Sequence, residues 1–113
     1  MLKKIFSLFL ISLLLVSTAA YSTETGGQVY RFYVNTSGLV LFSLNASVQN
    51  RPSCATNDMW QHAFLMDNPG SKEMYSMLLT AKATNKPIVI GFVQDACHPN
   101  FPSTNVQYIY FNE

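Results

Sequence analysis

Two histidines are the residues best suited to acid-base chemistry in this chain of 113 residues. General acid or base catalysis needs a histidine or a pair of carboxylates positioned in a cleft. His62 lies two residues from both Trp60 and Phe64, so the three share one face of a predicted strand. This predicts a strand histidine packed in the wall of the protein rather than a base. His98 lies between a cysteine and a proline, which predicts a loop position. The acidic candidates are Asp58, Asp67, Glu73 and Asp95.

The usual catalytic motifs do not occur in this sequence. It contains no glycine-rich phosphate loop and no nucleophile elbow. We therefore predict that the protein is not an enzyme and that it has no cofactor. A small secreted hydrolase is the alternative, and it would require His62 or His98 to lie in a cleft beside a carboxylate.

The two cysteines, Cys54 and Cys97, could pair with each other or bind a metal. In an exported chain the default is one disulfide, which would close a loop of about 40 residues and stabilise the fold by roughly 4 kcal/mol in the chain-entropy model. The other interpretation takes both cysteines, His62 and His98 as zinc ligands. Adjacent Cys97 and His98 cannot easily both reach one tetrahedral ion, and the spacing matches no usual zinc pattern. We therefore predict a disulfide and no metal site.

Residues 1–22 have the composition of a secretory signal peptide. A basic pair is followed by an apolar run that ends at Val16 and then by small residues. Cleavage is expected after Ala20 or Ser22, which leaves one domain over residues 23–113. A membrane anchor is the alternative, but the apolar run is shorter than the ~20 residues that a span needs. We predict a secreted or periplasmic protein with no membrane contact after the signal is removed.

The charged residues beyond the signal peptide are few and scattered. Five basic and six acidic side chains follow residue 22, a formal balance of minus one. Capture of a phosphate backbone needs clustered Lys and Arg, and this sequence has no such cluster. We therefore predict no nucleic-acid partner.

The predicted domain contains more aromatic residues than a core of its size can be expected to bury completely. An aromatic ring can pack on the C–H face of a sugar while amides and hydroxyls bond its hydroxyl groups, although the same rings also serve as strand core and cross-strand pairs. The aromatic set comprises Tyr30, Phe32, Tyr33, Phe42, Trp60, Tyr108, Tyr110 and Phe111. From side-chain chemistry, the candidate ligand-binding residues are Gln28, Arg31, Ser37, Trp60 and Tyr110.

One segment, residues 68–87, has a clean helical period. Asn68 is a good N-cap, and Asn85 can adopt the left-handed conformation that ends a helix before Pro87. Apolar residues recur at steps of three and four, which predicts one core-facing stripe and one polar face. The stripe comprises Met74, Met77, Leu78 and Ala81, and the polar face comprises Glu73, Ser76 and Thr80.

Three strand-like stretches precede this helix and two follow it. They are residues 28–34, 39–44, 59–66, 87–93 and 106–111. Gly91, inside the fourth stretch, is expected at a bulge or kink. We predict a mainly β protein with one helix, in the order β-β-β-α-β-β. This is the order of the five-stranded Greek-key barrel called the OB-fold, in which the helix between strands three and four plugs one end of the barrel.

With these residues in view, the chain beyond the signal peptide resembles a group of small secreted OB-fold proteins of bacteria. The group includes the binding (B) subunits of pertussis-like and subtilase-type AB5 toxins. The resemblance rests on the second cysteine, which follows the fourth strand, and on four segments, VYRFYVNTSGLVLFSL, CATNDMW, KEMYSMLLTAKATNKPIVI and VQYIYF. It covers nearly all of the predicted domain.

The resemblance implies a non-enzymatic homopentameric ring that binds cell-surface glycans, often sialylated ones, and carries a separate catalytic A subunit. In such rings the helices line the central pore, which implies an interface role for Lys72, Glu73, Ser76, Thr80 and Lys82. The sugar-contacting residues of the family cannot be matched to positions in this chain. The alternative function is a periplasmic accessory or inhibitor protein that binds another protein through a sheet edge.

Overall fold

The structure, a computed structural model, describes residues 22–112. The predicted signal peptide lies outside the described residues, apart from Ser22, and its cleavage stays a prediction. The described residues form six strands and one helix. In chain order they are β1 (Ser22–Gly27), β2 (Val29–Val34), β3 (Leu39–Leu44), β4 (His62–Leu65), α1 (Ser71–Thr84), β5 (Ile88–Cys97) and β6 (Thr104–Phe111).

The six strands form one mixed sheet in the order β1-β5-β6-β4-β3-β2. Neighbouring strands are antiparallel except for β4 and β6, which run parallel. The prediction of a mainly β protein with one helix is confirmed. The five-strand count and the order β-β-β-α-β-β are wrong, because β1 precedes the first predicted strand. Its sequence, STETGG, has no apolar alternation, and of its side chains only Thr25 is buried.

Strands β1 and β2 are separated by Gln28 alone, although they lie at opposite ends of the strand order. Gly27 lies at this junction. A Cβ atom there would meet Asn45 Oδ1 at 3.1 Å and the Cβ atoms of Leu44 and Ala46 at 3.3 Å, so the close approach of the chain favours glycine. One continuous segment therefore pairs with β5 through its first half and with β3 through its second half.

A β-bulge in β2 changes which of its residues face the core. Val29 and Arg31 pair with consecutive residues of β3, which leaves Tyr30 without a partner of its own. As a result Val29 and Phe32 both contact the main core, and Tyr30 is exposed. Strict alternation would place Val29 and Phe32 on opposite faces.

Helix α1 begins at Ser71 rather than after the predicted Asn68 cap. Gly70 is the N-cap residue, in the left-handed conformation with φ 78°, and Asn68 lies in the preceding turn. The Ser71 hydroxyl donates a hydrogen bond to the Leu65 carbonyl, which ties the start of the helix to β4. The predicted end of the helix is confirmed, because Asn85 adopts the left-handed conformation with φ 56°.

The main core lies between one face of the sheet and α1. The predicted apolar stripe of the helix is confirmed, since Leu78 and Ala81 are buried and Met74 and Met77 pack against the core. Its exposed polar face is also confirmed. The largest buried side chains of the core are Phe42, Phe64, Phe92, Leu78, Ile88 and Ile90.

Strand β4 is shorter than predicted and begins at His62. Trp60 precedes the strand and packs in a second, smaller apolar cluster that includes Leu41 and Ala63. His62 instead contacts Phe42 in the main core. The predicted common face of Trp60 and His62 is therefore wrong, because the chain leaves regular strand geometry before Trp60.

The predicted disulfide between Cys54 and Cys97 is confirmed, with the two Cα atoms 6.0 Å apart. It links the loop before β4 to the end of β5. No free cysteine occurs among the described residues, so neither sulfur is available to zinc as a thiolate. The predicted irregularity at Gly91 is confirmed too, because the register between β5 and β6 shifts directly after it.

Candidate ligand-binding cleft

A cleft of about 750 Å³ opens beside the bulge of β2. Strand β2 contributes Tyr30 and Arg31 to its lining. Residues 43–48 contribute the end of β3 and the start of the loop that follows. The later part of that loop contributes Arg51 and Asp58. The cleft is thus lined by the bulged strand β2, the end of β3 and the disulfide-linked loop.

The Arg31 guanidinium contacts two aromatic rings, of which only Tyr30 lines the cleft. Its Cζ atom lies 4.5 Å from the centroid of the Tyr30 ring and 5.9 Å from the Trp60 ring. Trp60 also packs against Tyr33, with ring centroids 5.6 Å apart. Two of the five candidate ligand-binding residues, Arg31 and Trp60, therefore meet in space.

The cleft carries a positive charge that the fold does not neutralise. The Arg31 guanidinium makes no hydrogen bond or ion pair with any residue between positions 22 and 112. Arg51 Nη1 donates to Asp58 Oδ1 at 2.8 Å, in a pair that water screens because the Asp58 side chain is 86% exposed. One arginine is therefore paired, and the other presents its N–H donors to a ligand.

Internal hydrogen bonds hold the wall of the cleft. Gln61 Oε1 accepts from the Leu44 N–H at 3.1 Å, and Gln61 Nε2 donates to the Ala46 carbonyl at 3.2 Å. Ser43 Oγ donates to the Met59 carbonyl at 2.5 Å and accepts from the Gln61 N–H at 3.1 Å. These two side chains position the loop and are not available to a ligand.

Several lining residues keep donor groups for a ligand. They include Arg31, Arg51 through its unshared N–H groups, and Ser47, whose hydroxyl makes no hydrogen bond within the described part of the chain. Donors of this kind beside aromatic rings suit a ligand that combines an anionic group with an apolar face.

Of the five candidate residues, only Arg31 belongs to the lining of the cleft. Trp60 contacts Arg31 but does not line the cleft, and the other three lie elsewhere. Gln28 Nε2 donates to the carbonyl of the helix C-cap at 2.7 Å. Ser37 Oγ donates to Asn35 Oδ1 at 2.6 Å, within the turn between β2 and β3. Tyr110 lies on β6 and donates to Glu24 Oε1 at 3.1 Å. The fold uses Gln28 and Ser37 internally, and Tyr110 belongs to a separate surface.

Neither histidine lines the cleft. His62 is fully buried, with Nδ1 2.6 Å from Thr104 Oγ1 and with Nε2 unpartnered among residues 22–112. Burial, followed by the positive charge of Arg51, lowers the pKa of His62 to about 3. His98 is also buried, its Nδ1 accepts from the Asn100 N–H at 3.1 Å, and burial lowers its pKa. The hydrolase alternative requires a carboxylate beside one of these rings, and within residues 22–112 neither ring has such a contact.

Between Ser22 and Asn112, no group of three or more His, Cys, Asp or Glu residues is arranged to hold a metal ion. No helix in the same range is both long and apolar enough to cross a membrane. The disulfide is typical of chains that fold in an oxidising compartment.

The sequence pattern did not identify Ser47, Arg51 and Asp58 as residues of one cleft. All three lie in a polar loop without periodicity. They come together because the loop turns back toward β4 and is linked to β5 through Cys54. The cysteines indicated that this loop is held in place, but no pattern indicated which of its side chains line a cleft.

Comparisons of the chain with protein-family profiles, curated proteins and solved structures return no match. The resemblance to toxin B subunits therefore rests on sequence segments of the chain alone.

Proposed function

We propose that this chain is a non-enzymatic binding protein whose cleft takes a carboxylate-bearing sugar of a cell-surface glycan. The observation behind the proposal is the environment of the Arg31 guanidinium, which contacts the rings of Tyr30 and Trp60 and has no hydrogen-bond partner among the described residues. A guanidinium can bind a carboxylate through two parallel N–H···O bonds. The neighbouring rings offer apolar surface to the C–H face of the same sugar.

The size and the remaining donors of the cleft support this ligand class. Its volume of about 750 Å³ falls within the ~300–1,000 Å³ that is usual for small-molecule sites. Ser47 adds a hydroxyl for a sugar hydroxyl, and Arg51 adds positive charge despite its pairing with Asp58. A neutral sugar would leave Arg31 without an anion, so acidic glycans should bind more tightly than neutral ones.

We also infer an OB-like arrangement of the strands, in which β1 and β2 form one bent strand. The segment from Ser22 to Val34 pairs with β5 at one end of the strand order and with β3 near the other end. If β1 and β2 count as one bent strand, the element order becomes the predicted one, with the helix between the third and fourth strands. The glycine junction between β1 and β2 is consistent with such a bend.

Under the same proposal the protein forms a homopentameric ring that carries a separate catalytic A subunit. Exposure of Lys72, Glu73, Ser76 and Thr80 on α1 leaves their side of the helix open to a neighbouring subunit. Lys82 Nζ donates to the Tyr30 carbonyl at 3.0 Å, so that residue also has a role within one protomer. Light scattering on a sizing column should give the mass of five protomers, and the mass of a single protomer would contradict the ring.

The position of β2 favours a second function, the binding of another protein through a sheet edge. Strand β2 ends the strand order. The Asn35 N–H donates to the Leu39 carbonyl at 3.1 Å, and this register turns the backbone groups of Phe32 and Val34 away from β3. An accessory or inhibitor protein would use these groups to pair with a strand of its target.

An array of matched sialylated and unsialylated glycans tests the glycan proposal. The wild-type protein should bind the sialylated members, and Arg31→Gln should lose that binding. Lys86→Gln is the matched control, because it removes a positive charge from an exposed position outside the cleft. Equal binding of both glycan classes would overturn recognition of the carboxylate, and binding to neither would overturn the glycan proposal and favour the sheet-edge function.

A further inference from the structure

A second surface with its own chemistry lies on the three strands at the other end of the sheet order. Glu24 of β1, Gly91 of β5 and Tyr108 of β6 are direct cross-strand neighbours and form one row. The next row on the same face contains Gly26, Val89 and Tyr110. With a glycine in each row, this face has few side chains that stand up from the sheet.

Gly91 is what lets the ring of Tyr108 lie flat on the sheet. A Cβ atom at position 91 would meet three ring carbons of Tyr108 at 2.0 to 2.5 Å. A side chain at position 91 would therefore displace the ring from the sheet. A glycine inside a paired strand weakens that strand, and here its position coincides with the place where an aromatic ring crosses it.

The two tyrosines reach the same carboxylate. Tyr108 donates to Glu24 Oε2 at 2.5 Å, and Tyr110 donates to Glu24 Oε1 at 3.1 Å. Their rings are 6.3 Å apart with planes inclined by 15°, so they present nearly parallel faces. The hydrogen bonds to Glu24 raise the pKa of both phenols. We name Glu24, Tyr108 and Tyr110 the tyrosine platform.

The negative charge of the platform has no cationic partner in the described part of the chain. Glu24 is exposed and forms no ion pair there, and both hydrogen bonds to it come from neutral phenols. Tyr110 is also exposed, at 42% of its surface. Flat aromatic rings beside an uncompensated carboxylate are complementary to a flat cation.

We propose that the tyrosine platform is a binding site for an arginine side chain of a protein partner. The guanidinium would stack on a tyrosine ring and direct its N–H groups toward Glu24. Arg31 on Tyr30 shows the same stacking within this chain, at 4.5 Å. The site is separate from the cleft, which carries the opposite charge and shares no residue with the platform.

A sugar is the competing ligand for such a surface. The charge of Glu24 favours an arginine side chain over a sugar. A sugar would also pack on the rings, but it would leave the charge of Glu24 uncompensated. A guanidinium satisfies both the ring faces and the carboxylate, because it is planar, cationic and rich in N–H donors.

Nuclear magnetic resonance of the purified protein tests this site, with N-acetyl-arginine amide as the probe. N-acetyl-citrulline amide is the matched control, because it has nearly the same shape and no charge. Arginine amide should shift the ring resonances of Tyr108 and Tyr110 in a saturable way, and citrulline amide should cause little of this shift. Glu24→Gln should lose most of the shift, whereas Glu73→Gln, on the exposed face of α1, should keep it.

Three results would overturn the proposal. They are equal shifts with both probes, no shift at either tyrosine, and shifts with methyl glycosides but not with arginine amide. Arg31→Gln separates this site from the cleft, because it should abolish binding of acidic glycans and leave the arginine-induced shifts unchanged. Glu24→Gln should keep the wild-type dispersion of its spectrum, which shows that any lost shift does not come from unfolding.

Discussion

The guanidinium of Arg31 lies 4.5 Å from the centroid of the ring of Tyr30, the residue directly before it. Successive side chains of a regular strand point to opposite faces, and the bulge at Tyr30 removes this separation. The ring holds the arginine side chain without using any of its N–H donors. The bulge therefore produces an arginine that is oriented and still able to bind an anion.

Tyr30→Ala should weaken binding of an acidic glycan by about two- to fivefold, the effect expected of an exposed cation–π contact. The matched variant Tyr30→Phe keeps the ring and should bind as the wild type does. Isothermal titration calorimetry with a sialylated oligosaccharide measures both. Equal losses in the two variants would show that the tyrosine hydroxyl matters and that stacking does not.

Acid should destabilise the protein through His62. The pKa of this residue is about 3 when folded and about 6.5 in an unfolded chain. The unfolded state therefore binds more protons between these values, and stability is lost as the pH falls below about 6.5. At pH 5 the loss from His62 alone should be about 2 kcal/mol.

Urea unfolding at pH 7 and pH 5 checks this value. The double variant His62→Leu with Thr104→Val removes both partners of the buried hydrogen bond and should lose this part of the pH dependence. Any pH dependence that His98 and the carboxylates contribute should persist in that variant. An unchanged difference between the two pH values would show that His62 is not responsible.

Loss of the disulfide should lower both stability and ligand affinity. The bond spans 43 residues, and in the chain-entropy model its removal costs about 4 kcal/mol. Cys54→Ser should therefore lower the melting temperature, and the double variant Cys54→Ser with Cys97→Ser should do so to a similar extent. Glycan binding should weaken as well, because the linked loop lines the cleft. Melting that is identical with and without reductant would contradict this role.

Gly91→Ala should destabilise the fold by about 1–3 kcal/mol, since overpacking forces side chains or backbone to move. The added methyl group would lie 2.0 Å from a ring carbon of Tyr108. Gly26→Ala, on the same face, is the control, because its nearest contact is 3.3 Å. Chemical denaturation should show a smaller loss for that control and a partial recovery in Gly91→Ala with Tyr108→Ala.

The hydrophobic pattern of the sequence was sufficient to predict the helix and the strands in which that pattern is strong. The stripe through Leu78 and Ala81 located α1, and the run Leu39–Leu44 located β3. Strand β1 has no apolar alternation from which it could be predicted. It is held in the sheet by backbone pairing with β5. The helix start was misplaced because Asn68 has the chemistry of a cap, whereas the Ser71 hydroxyl bonds back to β4 and begins the helix later.

Side-chain chemistry identified part of the cleft but not its composition. Arg31 and Trp60 were chosen for their type, and the bulge at Tyr30 brings them together. Glu24, Gly91 and Tyr108 form one row across three strands, and the two ends of this row are 84 positions apart in the sequence. No local pattern can predict such a row without the strand order.

Fluorescence of Trp60, the single tryptophan of the chain, should report on ligand binding by Arg31, because the two side chains are in contact. We predict that sialyllactose changes this fluorescence in a saturable way and that lactose, which lacks the carboxylate, does not. Arg31→Gln should abolish the response, and Arg31→Lys should weaken it because lysine cannot form the two-pronged contact. An equal response to lactose, or an undiminished response in Arg31→Gln, would contradict recognition of an acidic glycan by Arg31.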